Sequence, residues 1–215
     1  MPTEDDMLRD NKEDGFSPGF MLHLWTAQTD AVLDCIRENG FSQVKMEFID
    51  RKYEESAWVF KEAYGFFKQR AGLLVKPPEG AESPIWLFFD RSWVYLSQDS
   101  FLLELSIPRE RAVLFGRERW QKVLNLSYVG KDREDEARFE QKMNQMGVSA
   151  YWEVFQSPFY PYLKSEIKKS WNRIFDIDNM EQTNLGAAVW QIRQEDVVGI
   201  NSHSGSEERD GFSGK

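Results

Sequence analysis

The sequence has very little cysteine and histidine, and this scarcity excludes several common kinds of site. Its 215 residues include one cysteine, Cys35, and two histidines, His23 and His203. A lone cysteine cannot form an internal disulfide, which is typical of a reducing compartment, so we expect a cytoplasmic protein. Zinc sites built from cysteine and histidine are excluded by the same counts, and the sequence predicts no metal centre.

Long apolar stretches and several glycine motifs are also missing. No run approaches the roughly 20 apolar residues that span a bilayer, and the acidic start differs from the basic start of a signal peptide. We therefore expect no membrane association. The patterns G-x-x-x-x-G-K-[ST], G-x-G-x-x-G and G-x-S-x-G do not occur. Their absence argues against a P-loop, a dinucleotide-binding turn and a serine hydrolase.

Positive charge is scarce as well, since 27 lysines and arginines face 36 acidic residues and the net charge is −9. Residues 1–20 alone hold six acidic and two basic side chains, whereas residues 21–129 hold 15 acidic and 14 basic ones and are nearly neutral. A large nucleic-acid footprint needs a more basic domain, so the charge does not favour DNA or RNA as a partner. A small nucleotide remains compatible with it.

The two ends of the chain differ in composition from its middle. Residues 1–20 and 201–215 are polar and lack apolar periodicity, so they cannot offset the entropy of ordering. We predict a disordered acidic leader (1–20), one α+β domain (21–200) and a disordered tail (201–215). Met21 stands where the apolar pattern starts, which leaves open whether translation begins at Met1 or at Met21.

The middle of the chain combines strand-like and helix-like patterns. A first strand around Leu22–Trp25 is expected to end at Thr26-Ala27-Gln28, and an apolar stripe with helical spacing predicts a helix over about 54–71. Helices and strands do not alternate regularly, so we expect an α+β fold with a small mixed or antiparallel sheet flanked by amphipathic helices. Further elements are predicted as strands over 84–89, 101–107, 187–192 and 197–200, a helix over 117–126, a charged loop or helix over 130–147, and a helix from Pro161.

Three sets of basic or aromatic residues have more than one interpretation. Arg70 is either a C-terminal helix cap beside Gly72 or a phosphate ligand. Most tryptophans are expected in the core, with Trp25 and Trp86 as the exceptions beside strand ends. Two basic groups are either solvated helix faces or anion sites: Arg109, Arg111, Arg117 and Arg119 form one, and Lys164, Lys168, Lys169 and Arg173 form the other.

Several motifs together resemble a bacterial family of domains of unknown function. They span residues 22–200 and include Leu24-Trp25-Thr26-x-Gln28, Pro84-Ile85-Trp86, Leu103-Glu104-Leu105-x-Ile107-Pro108 and Val189-Trp190-x-Ile192-x-x-Glu195-Asp196-Val197. The resemblance implies no particular activity.

The first strand and the helix that closes on Gly40-Phe41 also resemble the opening of ADP-ribosyltransferase-like domains. This likeness implies an NAD-using enzyme of bacterial toxin or phage-defence type, with NAD as the cofactor. It implies a catalytic role for Glu181, which would stabilise an oxocarbenium-like transition state. The ligand-binding residues would be Trp25, Thr26, Gln28, Tyr64, Arg70 and Trp86. The alternative is a non-catalytic regulatory module that binds a nucleotide, a peptide or a protein.

Overall fold

A computed structural model describes residues 19–45 and 57–202. Apart from Gly19 and Phe20, the predicted leader lies outside these ranges, and so does the tail from residue 203. Residues 46–56 are outside them too, including the predicted start of the second helix.

The described ranges contain eight strands and six α-helices. The strands are β1 (Met21–Thr29), β2 (Phe41–Ser42), β3 (Ile85–Phe88), β4 (Ser100–Pro108), β5 (Val113–Gly116), β6 (Leu185–Val189), β7 (Ile192–Arg193) and β8 (Val197–Ser202). The helices are α1 (Asp30–Asn39), α2 (Ala57–Leu74), α3 (Arg117–Leu124), α4 (Arg133–Gln145), α5 (Tyr151–Gln156) and α6 (Pro161–Ser170).

Six of the strands form one antiparallel sheet in the order β5-β6-β3-β1-β4-β8, and β2 pairs with β7 in a second, two-stranded sheet. Each of these pairings is antiparallel. The predicted α+β class with antiparallel sheets is therefore confirmed.

Strand β1 is longer than its apolar pattern indicated. It does not end at Thr26, because every residue from Met21 to Thr29 has a partner on β4. Leu22, Leu24 and Thr26 are buried in alternation, which is the period of two that a strand imposes. Pairing with a long neighbouring strand outweighs the weak strand preference of Ala27 near its end.

The large sheet separates two apolar cores. Strand β3 shows this directly: Ile85 and Leu87 pack with Leu33 and Ile36 of α1, whereas Trp86 between them packs into the core formed with α2 to α6. Successive side chains of a strand point to opposite faces. Helix α1 therefore covers one face, and the later helices cover the other.

The core beneath α2 to α6 is built from aromatic rings. Phe67 of α2 contacts four of them, and three of these have ring centroids 4.7 Å (Trp86), 5.3 Å (Phe115) and 5.2 Å (Trp120) from its own. These three contacts are edge-to-face, the arrangement that aromatic quadrupoles favour. Gly186 on β6 leaves space for this cluster, since a Cβ there would lie 2.5 Å from Cζ of Phe115.

Several elements were not predicted from the sequence. Strands β2 and β5 and helix α5 are among them, although all four residues of β5 are buried. The charged segment 130–147, predicted as a loop or a helix, contains helix α4, which begins where the Asp132 side chain accepts a hydrogen bond from the backbone N–H of Asp135 (2.7 Å). Helix α2 continues to Leu74. Arg70 is thus not a C-terminal cap.

A buried ion pair joins the segment between β4 and β5 to the turn before β8. The Asp196 carboxylate accepts hydrogen bonds from both terminal nitrogens of Arg111, at 2.6 and 2.9 Å, and from the backbone N–H of Arg193 at 2.8 Å. The Asp196 side chain is 2% exposed and that of Arg111 is 20% exposed. A bidentate geometry with a third donor compensates the cost of removing the charges from water.

We expect Gly186→Ala to destabilise the protein by about 1–3 kcal/mol, because the new methyl group overlaps the Phe115 ring. Gly65→Ala in α2 is the matched control: its Cβ meets nothing within 4 Å, and alanine in a helix is favoured by roughly 0.5–1 kcal/mol. Urea unfolding of both variants measures the difference. Equal effects of the two substitutions would contradict the packing described here.

We expect Asp196→Asn to destabilise the protein by about 3 kcal/mol, since it leaves the Arg111 guanidinium without its counter-charge. Glu195→Gln is the control one residue away: its side chain is 71% exposed, so the loss should stay below about 0.5 kcal/mol. Both values come from denaturant unfolding. Similar losses for the two variants would show that the ion pair does not stabilise the fold.

Candidate functional site

A groove of about 900 Å³ runs between α2 and α6. The residues that line it recur three or four positions apart on each helix, so each helix presents one face to the groove. On α2 the lining residues extend from Trp58 to Arg70, which corresponds to about 18 Å of helix. The lining residues are Trp58, Lys61, Glu62, Gly65, Phe66, Gln69, Arg70, Pro161, Lys164, Ser165, Lys168, Lys169 and Asn172.

The groove is strongly basic although the protein is acidic. Five of its lining residues are cationic and a single one is anionic, in a chain whose net charge is −9. The cationic residues are Lys61, Arg70, Lys164, Lys168 and Lys169. A concave surface lined by charges of one sign focuses the electric field and attracts ligands of the opposite sign.

The anionic residue, Glu62, pairs with two of the lysines across the groove. Its carboxylate lies 2.5 Å from Nζ of Lys168 and 3.6 Å from Nζ of Lys164. The same two ammonium groups lie 6.0 and 5.1 Å from the ring centroid of Phe155. Lys164 and Lys168 are therefore held in position by one carboxylate and one aromatic ring.

Two other groove cations are not paired in this way. Within residues 19–45 and 57–202, Arg70 and Lys169 form no ion pair, and both side chains are exposed. The length of α2, which continues to Leu74, excludes the helix-cap interpretation of Arg70. An arginine free of a carboxylate, with its planar fork of donors facing a groove, is suited to bind a phosphate or a carboxylate.

Aromatic and small residues complete the walls of the groove. Phe66 packs edge-to-face on Trp171 with ring centroids 5.3 Å apart, and Trp58 is half-buried at the groove. Gly65 also lines the groove, and no atom comes within 4 Å of where its Cβ would be. The groove thus offers flat apolar surface beside its cations.

Comparison with known proteins gives a family but no activity. The sequence profile of a domain of unknown function, DUF3841, matches residues 23–198. The chain belongs to the DUF3841 family. The family resemblance expected from the motifs is confirmed. No curated protein and no solved structure matches this DUF3841 domain, and the likeness to ADP-ribosyltransferases stays a prediction.

Two of the residues predicted to bind ligand come together in the core of the DUF3841 domain. The rings of Tyr64 and Trp86 have centroids 5.3 Å apart, and Trp120 packs against both, 6.0 Å from Tyr64 and 4.9 Å from Trp86. Trp86 also contacts Phe67. These contacts give Trp86 a packing role beneath α2, as the other tryptophans were expected to have.

The predicted residues on β1 are divided between the faces of the sheet. Thr26 is buried, and its hydroxyl oxygen accepts a hydrogen bond from Nε2 of Gln28 at 3.0 Å. The neighbouring Trp25 is half-buried on the opposite face, where its ring lies 4.4 Å from that of His23. His23 donates to or accepts from Glu104 at 2.6 Å.

Glu181, the predicted catalytic residue, is exposed at the start of a short 3-10 turn that precedes β6. Of the predicted site residues, Arg70 lines the groove between α2 and α6, whereas Glu181, Gln28 and Tyr64 are not among the lining residues. The structure therefore does not assemble the predicted set in that groove.

The arginines from 109 to 119 have structural partners. Arg109 donates to the carbonyl of Ala112 (2.9 Å), and burial lowers the pKa of its guanidinium. Arg111 binds Asp196, Arg117 stacks on Trp93 at 3.2 Å, and Arg119 donates to the carbonyls of Arg173 and Asp176, both at 2.7 Å. Of the two basic groups in the sequence, the later one supplies the groove.

Sequence reasoning missed part of the groove. Trp58, which was expected in the core, packs against it and also lines the groove, and Lys61, Glu62 and Phe66 were not predicted as site residues. The available signal was the helical spacing of Trp58, Lys61 and Gly65 on the side of α2 away from Phe67.

Two other kinds of feature are absent from the part of the chain that the structure describes. No three or more histidine, cysteine, aspartate or glutamate side chains are grouped there to hold a metal ion. No helix within the described ranges has the length and apolar character needed to cross a membrane.

Proposed function

We propose that this DUF3841 domain is a binding module whose groove between α2 and α6 accepts a phosphate-bearing, nucleotide-class ligand. The observation that carries the proposal is the groove's charge: five cations and one carboxylate line a cavity of about 900 Å³ in an acidic protein. This volume is within the range of small-molecule sites, roughly 300–1,000 Å³.

The composition of the walls favours a nucleotide over a simple anion. Arg70 and Lys169 provide charge-assisted hydrogen bonds for a phosphate, while Trp58 and Phe66 provide flat surfaces against which a base can stack. Gly65 leaves open space at the wall of the groove. An acidic peptide would use the cations but has less need for the flat apolar surface.

The proposal is a binding function without turnover, acting in the cytoplasm. Glu181 supports no chemistry at the groove, since it is exposed before β6 and does not line the cavity. The single cysteine, Cys35, agrees with a reducing compartment.

We expect the wild-type domain to bind ADP and ADP-ribose, and Arg70→Gln with Lys169→Gln to weaken binding about tenfold or more. A charge-assisted hydrogen bond contributes roughly 1.5–3 kcal/mol, and 1.4 kcal/mol corresponds to tenfold in affinity. Isothermal titration calorimetry measures the change. Arg133→Gln, which removes an exposed cation on α4 outside the groove, is the matched control and should bind as wild type does.

The NAD-using, ADP-ribosyltransferase-like enzyme of toxin or phage-defence type stays a prediction from the sequence. Its test is NAD consumption by the wild-type protein with crude nucleic acid or lysate as acceptor, compared with Glu181→Gln. Our proposal expects no consumption by either protein. Consumption by the wild type that Glu181→Gln abolishes would replace the binding module with the enzyme.

A further inference from the structure

The distribution of partners separates four of the five groove cations into two pairs. Glu62 of α2 lies between Lys164 and Lys168, which are one helical turn apart on α6, at 3.6 and 2.5 Å. Arg70 and Lys169 also line the groove and have no such carboxylate in the described ranges. An anion entering the groove thus meets one pair of cations without a carboxylate and one pair that shares the carboxylate of Glu62.

The Glu62 bridge can be displaced. Its carboxylate is about one-third exposed, and the two lysine side chains are 32% and 40% exposed. Ion pairs with this access to water contribute about 1 kcal/mol or less. A phosphate carries more charge and more acceptor oxygens than a carboxylate, so a phosphate held nearby can replace Glu62 on the lysines.

The two lysines remain oriented when Glu62 leaves. Phe155 lies beneath both ammonium groups, at 5.1 Å from Lys164 and 6.0 Å from Lys168. The backbone carbonyl of Phe155 also accepts a hydrogen bond from Nζ of Lys164 at 3.4 Å. A ligand that displaces the carboxylate therefore finds a preformed cation pair, which reduces the entropy lost on binding.

We propose that Glu62 is an internal counter-ion of the groove, and that the ligand carries two or more linked phosphates. The first phosphate binds at Arg70 and Lys169, and the next takes Lys164 and Lys168 from Glu62. A monophosphate uses the available pair alone. This inference rests on the proposed function, because it assigns a ligand class to the same groove.

The test compares AMP, ADP and ATP as ligands of the wild-type protein and of Glu62→Gln by calorimetry, with EDTA present to remove divalent cations. Glu62→Gln keeps the size of the side chain and removes the competing charge. We expect it to bind ADP and ATP about five to ten times more tightly, equivalent to about 1 kcal/mol, and AMP within about twofold of wild type. Glu166→Gln is the control, because Glu166 also lies on α6 but pairs with Lys142 outside the groove, at 2.5 Å.

The outcomes separate this inference from the proposed function. If the wild type binds ADP but Glu62→Gln binds it no more tightly, the counter-ion role is wrong and the nucleotide site stands. If neither protein binds any of the three nucleotides, both proposals fail. Lys168→Gln gives an independent measurement should Glu62→Gln not fold: it should weaken ADP binding and leave AMP binding unchanged, and equal losses for both ligands would overturn the inference.

Discussion

The continuous pairing of β1 with β4 is the constraint on which the rest of the structure depends. Nine consecutive residues of β1 have partners on β4. The side chains of the two strands therefore alternate together between the two faces of the sheet along this whole length. Leu22 and Leu24 face the same core as Leu103 and Leu105. Trp25, Glu104 and, on β3, Trp86 lie on the opposite face of the sheet. A slip of one residue would exchange the two faces everywhere.

The groove is a consequence of how α2 packs on that second face. Phe67 and Ala71 are buried against the aromatic core, which fixes the rotation of α2 about its axis. Because this face of α2 packs on the core, the residues on its other side face α6. Trp171, next to α6, is fully buried and packs on Phe66 of α2. Two amphipathic helices docked on a common core thus leave their polar flanks opposite each other, and the space between those flanks is the groove.

Much of the fold could be predicted from local pattern, but the site could not. Burial alternates every second residue from Leu103 to Pro108 in β4, and the stripe through Ala57, Phe67 and Ala71 follows a helical period, so these elements were found. Strand β5 is short and buried at every position, so its residues show no alternation of apolar and polar types. The polar end of β1 is held by cross-strand partners that lie about 75 residues away in the sequence. Lys164 and Lys168 were recognised as a basic group. Their distance from Glu62, about a hundred residues earlier, depends on tertiary packing that no local pattern encodes.

The different uses of arginine and lysine explain how an acidic protein keeps a basic groove. The arginines of residues 109–119 are inserted where several acceptors, a buried carboxylate or an aromatic face surround the side chain. A rigid guanidinium with five donors satisfies such surroundings, whereas an ammonium group does not. Lysine, more strongly hydrated and on a flexible stem, is suited to a wet groove where a partner is exchanged. Most of the groove's cations are lysines, and the bridge that holds two of them is a single carboxylate that is about one-third exposed. The structural arginines are therefore locked in place, whereas the anion site that we propose includes two lysines whose partner can be exchanged.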